Sequence, residues 1–80
     1  MNTHVRMWCI YQSPPDFTGM FVVREWKVSN EGRNPVASVE PTAVCHTLDQ
    51  ARDACRLASR GGLALAYQAF DDPRIIETWV

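Results

Sequence analysis

Eighty residues leave room for one domain over positions 1–80, a size that buries about 60% of the unfolded chain's surface, so most large apolar side chains must serve the core. A content of 46% hydrophobic and 21% charged residues excludes an intrinsically disordered chain, and no window approaches the ~20 apolar residues of a membrane-spanning helix. Nine acidic against eight basic residues give a formal charge of −1, which argues against a dedicated nucleic-acid binder, because phosphate neutralisation needs a surplus of cations on one face.

Along the chain, residues 7–11 (Met-Trp-Cys-Ile-Tyr) are short, aromatic and β-prone, and Ser13-Pro14-Pro15-Asp16 ends them as a connection. Residues 20–28 form the strongest predicted strand. Alternation puts Met20, Val22, Arg24, Trp26 and Val28 on one face, and Phe21, Val23, Glu25 and Lys27 on the other. The first set is mostly apolar and is expected to face the core. The cluster Asn30-Glu31-Gly32-Arg33-Asn34 predicts a turn closed by Pro35, giving a hairpin into an edge-like segment over 36–39. Pro41 interrupts that segment, and 43–46 resumes extended structure. Both prolines suit an edge, where no amide hydrogen has to be supplied to a neighbour.

Thr47 predicts a helix start, with Gln50 completing a capping box and Asp49 adding negative charge to the first turn. At 100° per residue, Leu48, Ala51, Cys55 and Ala58 share one stripe with Ala54 at its margin. Most of these side chains are small, so the helix can lie close to a sheet. Gly61-Gly62 is expected to supply the left-handed cap. Residues 63–70 alternate large and small side chains; their alanines also suit a helix, and the preceding Gly-Gly break favours a strand. Asp71-Asp72-Pro73 reads as a turn and 74–80 as a terminal strand. The expected architecture is α+β: a mainly antiparallel sheet of three to five strands, in the order β-β-β-α-β-β, with one helix packed on one face.

Few residues suggest chemistry. Arg52, Arg56 and Arg60 form a basic ridge on the helix, open to an anion or an acidic partner; pairing of Asp49 with Arg52 and of Asp53 with Arg56 would instead make it an ordinary solvated face, the reading the charge pattern favours. Three cysteines, Cys9, Cys45 and Cys55, show no disulfide framework and no paired spacing for zinc. Cys55 lies on the helix's apolar stripe as a small hydrophobe, and Cys45 and His46 point to opposite faces of a strand. Asp71-Asp72 lacks the further oxygen ligands of a calcium loop. The glycines make no phosphate cradle, and the serines show no nucleophile elbow. The more specific arrangement is Arg24 with Trp26 on one strand and Glu77 with Trp79 on another. If these strands were neighbours with those faces aligned, Arg24 would pair with Glu77, or each charge would stack on the opposite Trp. A partly buried ion pair organising two tryptophans is favoured over a partner-recognition surface built from the same residues, although Arg and Trp dominate binding hot spots.

Phe21-Val22-Val23-Arg24-x-Trp26, the helix start Leu48-x-x-Ala51-Arg52, and Asp71-Asp72-Pro73-x-Ile75-Ile76-Glu77-x-Trp79 together resemble a group of short bacterial proteins without an established activity. The similarity spans most of positions 17–80. It implies a bacterial cytoplasmic protein and supplies no catalytic residues. Residues 1–11 likewise lack the apolar run of a secretory signal.

Three tryptophans and five other aromatics without a catalytic set point to a small non-catalytic interaction module. It would present a sheet edge or an Arg/Trp face to a protein partner or to a second copy of itself, without a cofactor, metal, nucleic acid or membrane. The alternative is a domain binding a small anion through Arg24 or the Arg52/Arg56/Arg60 ridge.

Overall fold

A computed structural model describes residues 4–29, 35–62, 64–65 and 72–80. The expected turn over 30–34 and most of the ambiguous stretch over 63–70 lie outside them, as does Asp71. Strands β1 (His4–Gln12) and β2 (Phe21–Ser29) form a long hairpin, followed by the short strands β3 (Val36–Ala37) and β4 (Ala43–Cys45). Helix α1 (Leu48–Ala58) comes next, then β5 (Ala64–Leu65) and β6 (Ile75–Trp79). The sheet order is β3-β2-β1-β6-β5, with β4 also paired to β2, and every pairing is antiparallel. The α+β class and the single helix are as expected. The segment broken at Pro41 is two separate strands on the β2 edge, which places both prolines where a missing amide hydrogen costs no ladder bond.

Helix α1 begins as its sequence predicts. Thr47 is extended (φ −128°, ψ 156°), and its hydroxyl accepts the Gln50 amide at 3.1 Å. The Gln50 side chain accepts the amide of His46 at 3.0 Å, one residue earlier than a capping box requires, so one more unpaired donor is satisfied ahead of the helix. The helix end differs from expectation. The amide of Gly61 donates to the Arg56 carbonyl and that of Arg60 to Leu57, the paired bonds of a Schellman motif. Its left-handed residue is therefore Arg60 (φ 55°), followed by Gly61 (φ 83°). Gly62 serves a different purpose. A Cβ there would collide with the Val80 carbonyl and the Ser59 side chain, so this glycine lets the helix exit pass against the end of the sheet.

Apolar side chains are buried on both faces of the sheet. Under α1, Trp8 and Ile10 of β1, Val23 of β2 and Trp79 of β6 pack with Ala51 and Cys55. Phe21, Leu48, Ala54 and Ala58 adjoin them. On the other face, Cys9, Tyr11, Val22 and Ile75 form a second cluster with Phe17 and Trp26 at its margin. The helix thus lies on the Phe21/Val23 set of β2, while Val22 and Trp26 of the set expected to face the core belong to the second cluster, on the side away from α1. Both sets bury apolar side chains because Val22 and Val23 sit in an interior strand. Each is worth about 1.5–3 kcal/mol of transfer free energy.

Strand β6 pairs with β1 through a bulge. Trp79 faces Trp8, Thr78 faces Cys9 and Glu77 faces Ile10, but Tyr11 is opposite Ile75. The extra residue, Ile76, is 41% exposed, while Ile75 turns to the Tyr11 face at 4% exposure. Among the described residues no helix is long and apolar enough to cross a membrane.

Candidate functional site

The sheet face turned away from α1 carries a pocket of about 180 Å³, lined by Tyr11, Val22 and Arg24 from the strands, Arg74 from the entry to β6, and Pro14, Pro15 and Asp16 from the connection between β1 and β2. Local chemistry builds its wall. Ser13 takes a left-handed conformation (φ 52°) and Gly19 another (φ 79°), and the Ser13 hydroxyl accepts the Gly19 amide at 3.0 Å. Between them Pro14, extended and buried, leads into a one-turn 3-10 helix (Pro15–Phe17), where a proline at the first position needs no amide hydrogen. The turn therefore folds over the sheet instead of continuing the hairpin outward.

Arg24 is 18% exposed, and its Nη1 donates to the carbonyls of Ser38 and Val39 at 2.6 and 2.7 Å, tying the β3–β4 connection to β2. Its Nη2 lies 4.0 Å from the Asp16 carboxylate, beyond hydrogen-bonding distance. Arg74 holds Asp72 through Nε and Nη2 at 3.0 and 3.1 Å, and its backbone amide donates to the same carboxylate at 2.9 Å. These bonds hold the Asp72 carboxyl below its ordinary range. The Trp26 indole N–H donates to the Tyr11 oxygen at 2.9 Å. An indole can only donate, so Tyr11 accepts there and its own proton remains to be given. Burial raises the Tyr11 phenol, so it keeps that proton.

The expected Arg24–Glu77 pairing is overturned. Strand β1 lies between β2 and β6, and Arg24 and Trp26 occupy the face opposite Glu77 and Trp79. Glu77 instead joins the helix side, where Arg52 donates to it from Nε and Nη2 at 3.0–3.2 Å and the Trp79 indole at 2.7 Å. The Arg56 guanidinium lies 5.9 Å from the Trp79 ring centre, and Arg6 lies 5.5 Å from that of Trp8 while paired with Glu25 at 2.8 Å. Trp8 and Trp79, neighbours across the strands, are thus flanked by cations, and both are 6% exposed.

The basic ridge is not a free unit. Arg52 also approaches Asp49 at 3.9 Å, and Arg56 hydrogen-bonds Asp53, as the i,i+3 spacing predicts. Arg60, third of the series, is exposed and serves the helix exit through its backbone. Tyr11, Asp16 and Arg74 are not candidates from the sequence. Strand alternation separates Tyr11 from Trp8 and Ile10, but no local pattern says that a proline turn and the start of the last strand meet beside Arg24.

Among the described residues no three His, Cys, Asp or Glu side chains converge to hold a metal. All three cysteines are free thiols. Burial pushes Cys9 up to about 11 and Cys55 up to about 12, and also raises Cys45, so at neutral pH none is a ready nucleophile. A thiol whose folded pKa exceeds its unfolded value of about 9 contributes stability in full below that value and loses it as pH rises through the folded pKa. The denaturant midpoint is therefore expected to fall between about pH 8 and about pH 10.5, with a smaller drop in Cys55→Ala. Equal midpoints for the parent chain at both values would contradict the burial argument.

No protein family, curated protein or solved structure matches this chain significantly. The side chains and their geometry therefore carry the functional reading.

Proposed function

We propose that this chain is a small non-catalytic interaction module that docks another protein on the sheet face away from α1. The observation that supports it is the meeting of Arg24, Arg74 and Tyr11 at one pocket on that face, beside the half-buried Trp26 and Phe17. Arg, Tyr and Trp are the residues that dominate binding hot spots. Size favours a partner's side chain over a whole cofactor, since the pocket's ~180 Å³ falls below the roughly 300–1,000 Å³ that encloses small-molecule ligands. What it offers is guanidinium and phenol donors left over by the fold, so a carboxylate-bearing segment is the complementary occupant. A sheet edge is the weaker surface at β3 and β4, which are short and accompanied by Pro35 and Pro41, the devices that blunt strand pairing.

Photo-crosslinking residues test the face. At Met7 and at Val44, whose strand positions lie on this side, they are expected to give one discrete product with a partner protein. At Leu57, 82% exposed on the outside of α1, they should give none. Product from Leu57 alone, or none from the sheet face, would remove the proposal. A product of twice the chain mass would identify a second copy as the partner. Light scattering that shows a strict monomer at high micromolar concentration would dismiss that version. The small-anion alternative loses Arg52 and Arg56, which are engaged in ion pairs, and keeps Arg24 and the exposed Arg60.

A further inference from the structure

Donors around the pocket are left over after the fold has used its share. Arg24 spends Nη1 on two carbonyls, which leaves Nε and Nη2 without a hydrogen-bond acceptor among the described residues. Arg74 gives Nε and Nη2 to Asp72, which leaves Nη1. Tyr11 accepts from Trp26, and its proton has no acceptor among the described residues. Two guanidiniums and a phenol therefore line the same concavity with unused N–H and O–H groups.

Asp16 indicates what such a group accepts. Its carboxylate, 64% exposed, stands 4.0 Å from Arg24 Nη2, near enough to feel the charge and too far to hydrogen-bond. It is a loosely held internal carboxylate that a better placed one can displace. Asp16 and Asp72 also offset the two arginines, so the pocket's net charge is close to neutral. A dianion such as phosphate would meet their repulsion, whereas a planar monoanion matches the guanidinium fork.

We infer that this pocket receives a carboxylate from the docked protein, either an Asp or Glu side chain or a chain end, with Arg24, Arg74 and Tyr11 as its donors. The inference rests on the docking reading above and names the chemistry of its contact.

The test is an NMR titration of the whole chain with N-acetylglutamate N-methylamide, N-acetylglycine and inorganic phosphate. Saturable shifts centred on Tyr11, Asp16, Arg24 and Arg74 are expected with at least one of the two carboxylates. Saturation by the glutamate derivative alone assigns a side chain, and saturation by N-acetylglycine alone a chain end. Arg74→Gln should weaken binding about tenfold by removing a charged donor, and Asp16→Asn should tighten it up to about fivefold by removing the competitor. Arg74 is 45% exposed, so its replacement leaves the core intact, which circular dichroism verifies. Carboxylates that fail to saturate below about 100 mM, phosphate binding more tightly than either, or unchanged affinity in Arg74→Gln would each overturn the inference. If crosslinking from the sheet face persists while the titration fails, the carboxylate chemistry is wrong and the docking face stands. If both fail, the face itself is wrong.

Discussion

Replacing Trp79 by Ala is expected to lower the unfolding free energy by about 3–5 kcal/mol, measured by urea denaturation. Trp79 is 6% exposed, faces Trp8 across the strands, and belongs to the cluster beneath α1. Its loss opens a cavity under the helix and removes the ring beside Arg56. It also removes the indole that donates to Glu77 at 2.7 Å. Small domains have only about 5–15 kcal/mol in total, so the variant should be partly unfolded at body temperature. Trp79→Phe separates the two roles: it keeps most of the packing, loses the indole donor, and should cost about 1–2 kcal/mol. A loss below about 1 kcal/mol for Trp79→Ala would mean that this ring is not part of the core.

The adjacent isoleucines of β6 give the second large effect. Ile75→Ala should cost about 2–5 kcal/mol, because this side chain is 4% exposed against Cys9, Tyr11 and Val22. Ile76→Ala, at 41% exposure, should change stability by about 0.5 kcal/mol. The contrast depends on the bulge opposite Ile10 and Tyr11, which adds one residue to β6 and reverses the faces of everything before it. With regular alternation Ile75 would share the helix side with Glu77 and Trp79, and Ile76 would take its place in the second cluster. Comparable losses for the two variants, or a larger loss for Ile76→Ala, would rule out the bulged register. Near-ultraviolet circular dichroism should follow the same order, since Ile75 packs near Tyr11.

Much of the architecture is legible locally because it rests on local physical chemistry. Thr47 and Gln50 place the helix start through a hydroxyl and an amide only three residues apart. The stripe of Leu48, Ala51, Cys55 and Ala58 follows from the helical repeat, and it is the face that packs on the sheet. Val22 and Val23 announce a strand by their β-branched side chains, but not its place in the sheet or which of its faces meets α1. Buried apolar side chains of β2 are divided between both faces, so the alternation that sets Arg24 and Trp26 apart from Glu25 and Lys27 does not say which face α1 covers.

The helix exit shows the same limit on a smaller scale. Glycine tolerates a positive φ, so Gly61-Gly62 is the natural place to expect the left-handed cap. The bonding pattern puts that conformation at Arg60 and Gly61, and Gly62 is required instead by the nearness of Val80, eighteen positions on. The candidate pocket is further still from local inference. Tyr11, Asp16, Arg24 and Arg74 meet because the hairpin brings β1 beside β2, the proline turn folds back over them, and β6 returns to the far side of β1.

Spacing and side-chain shape thus account for the helix, its N-cap, strand β2 and the α+β class, since each depends on neighbours a few bonds away. Strand β1, by contrast, is expected only over 7–11 and extends over His4–Gln12 through its pairing with β2. Which strands adjoin, which arginine meets which carboxylate, and whether Ile75 or Ile76 is buried depend on contacts between distant parts of the chain, such as Cys9 with Thr78, 69 positions apart. Those contacts are selected by the joint packing of both sheet faces, and no short stretch of chain contains that information.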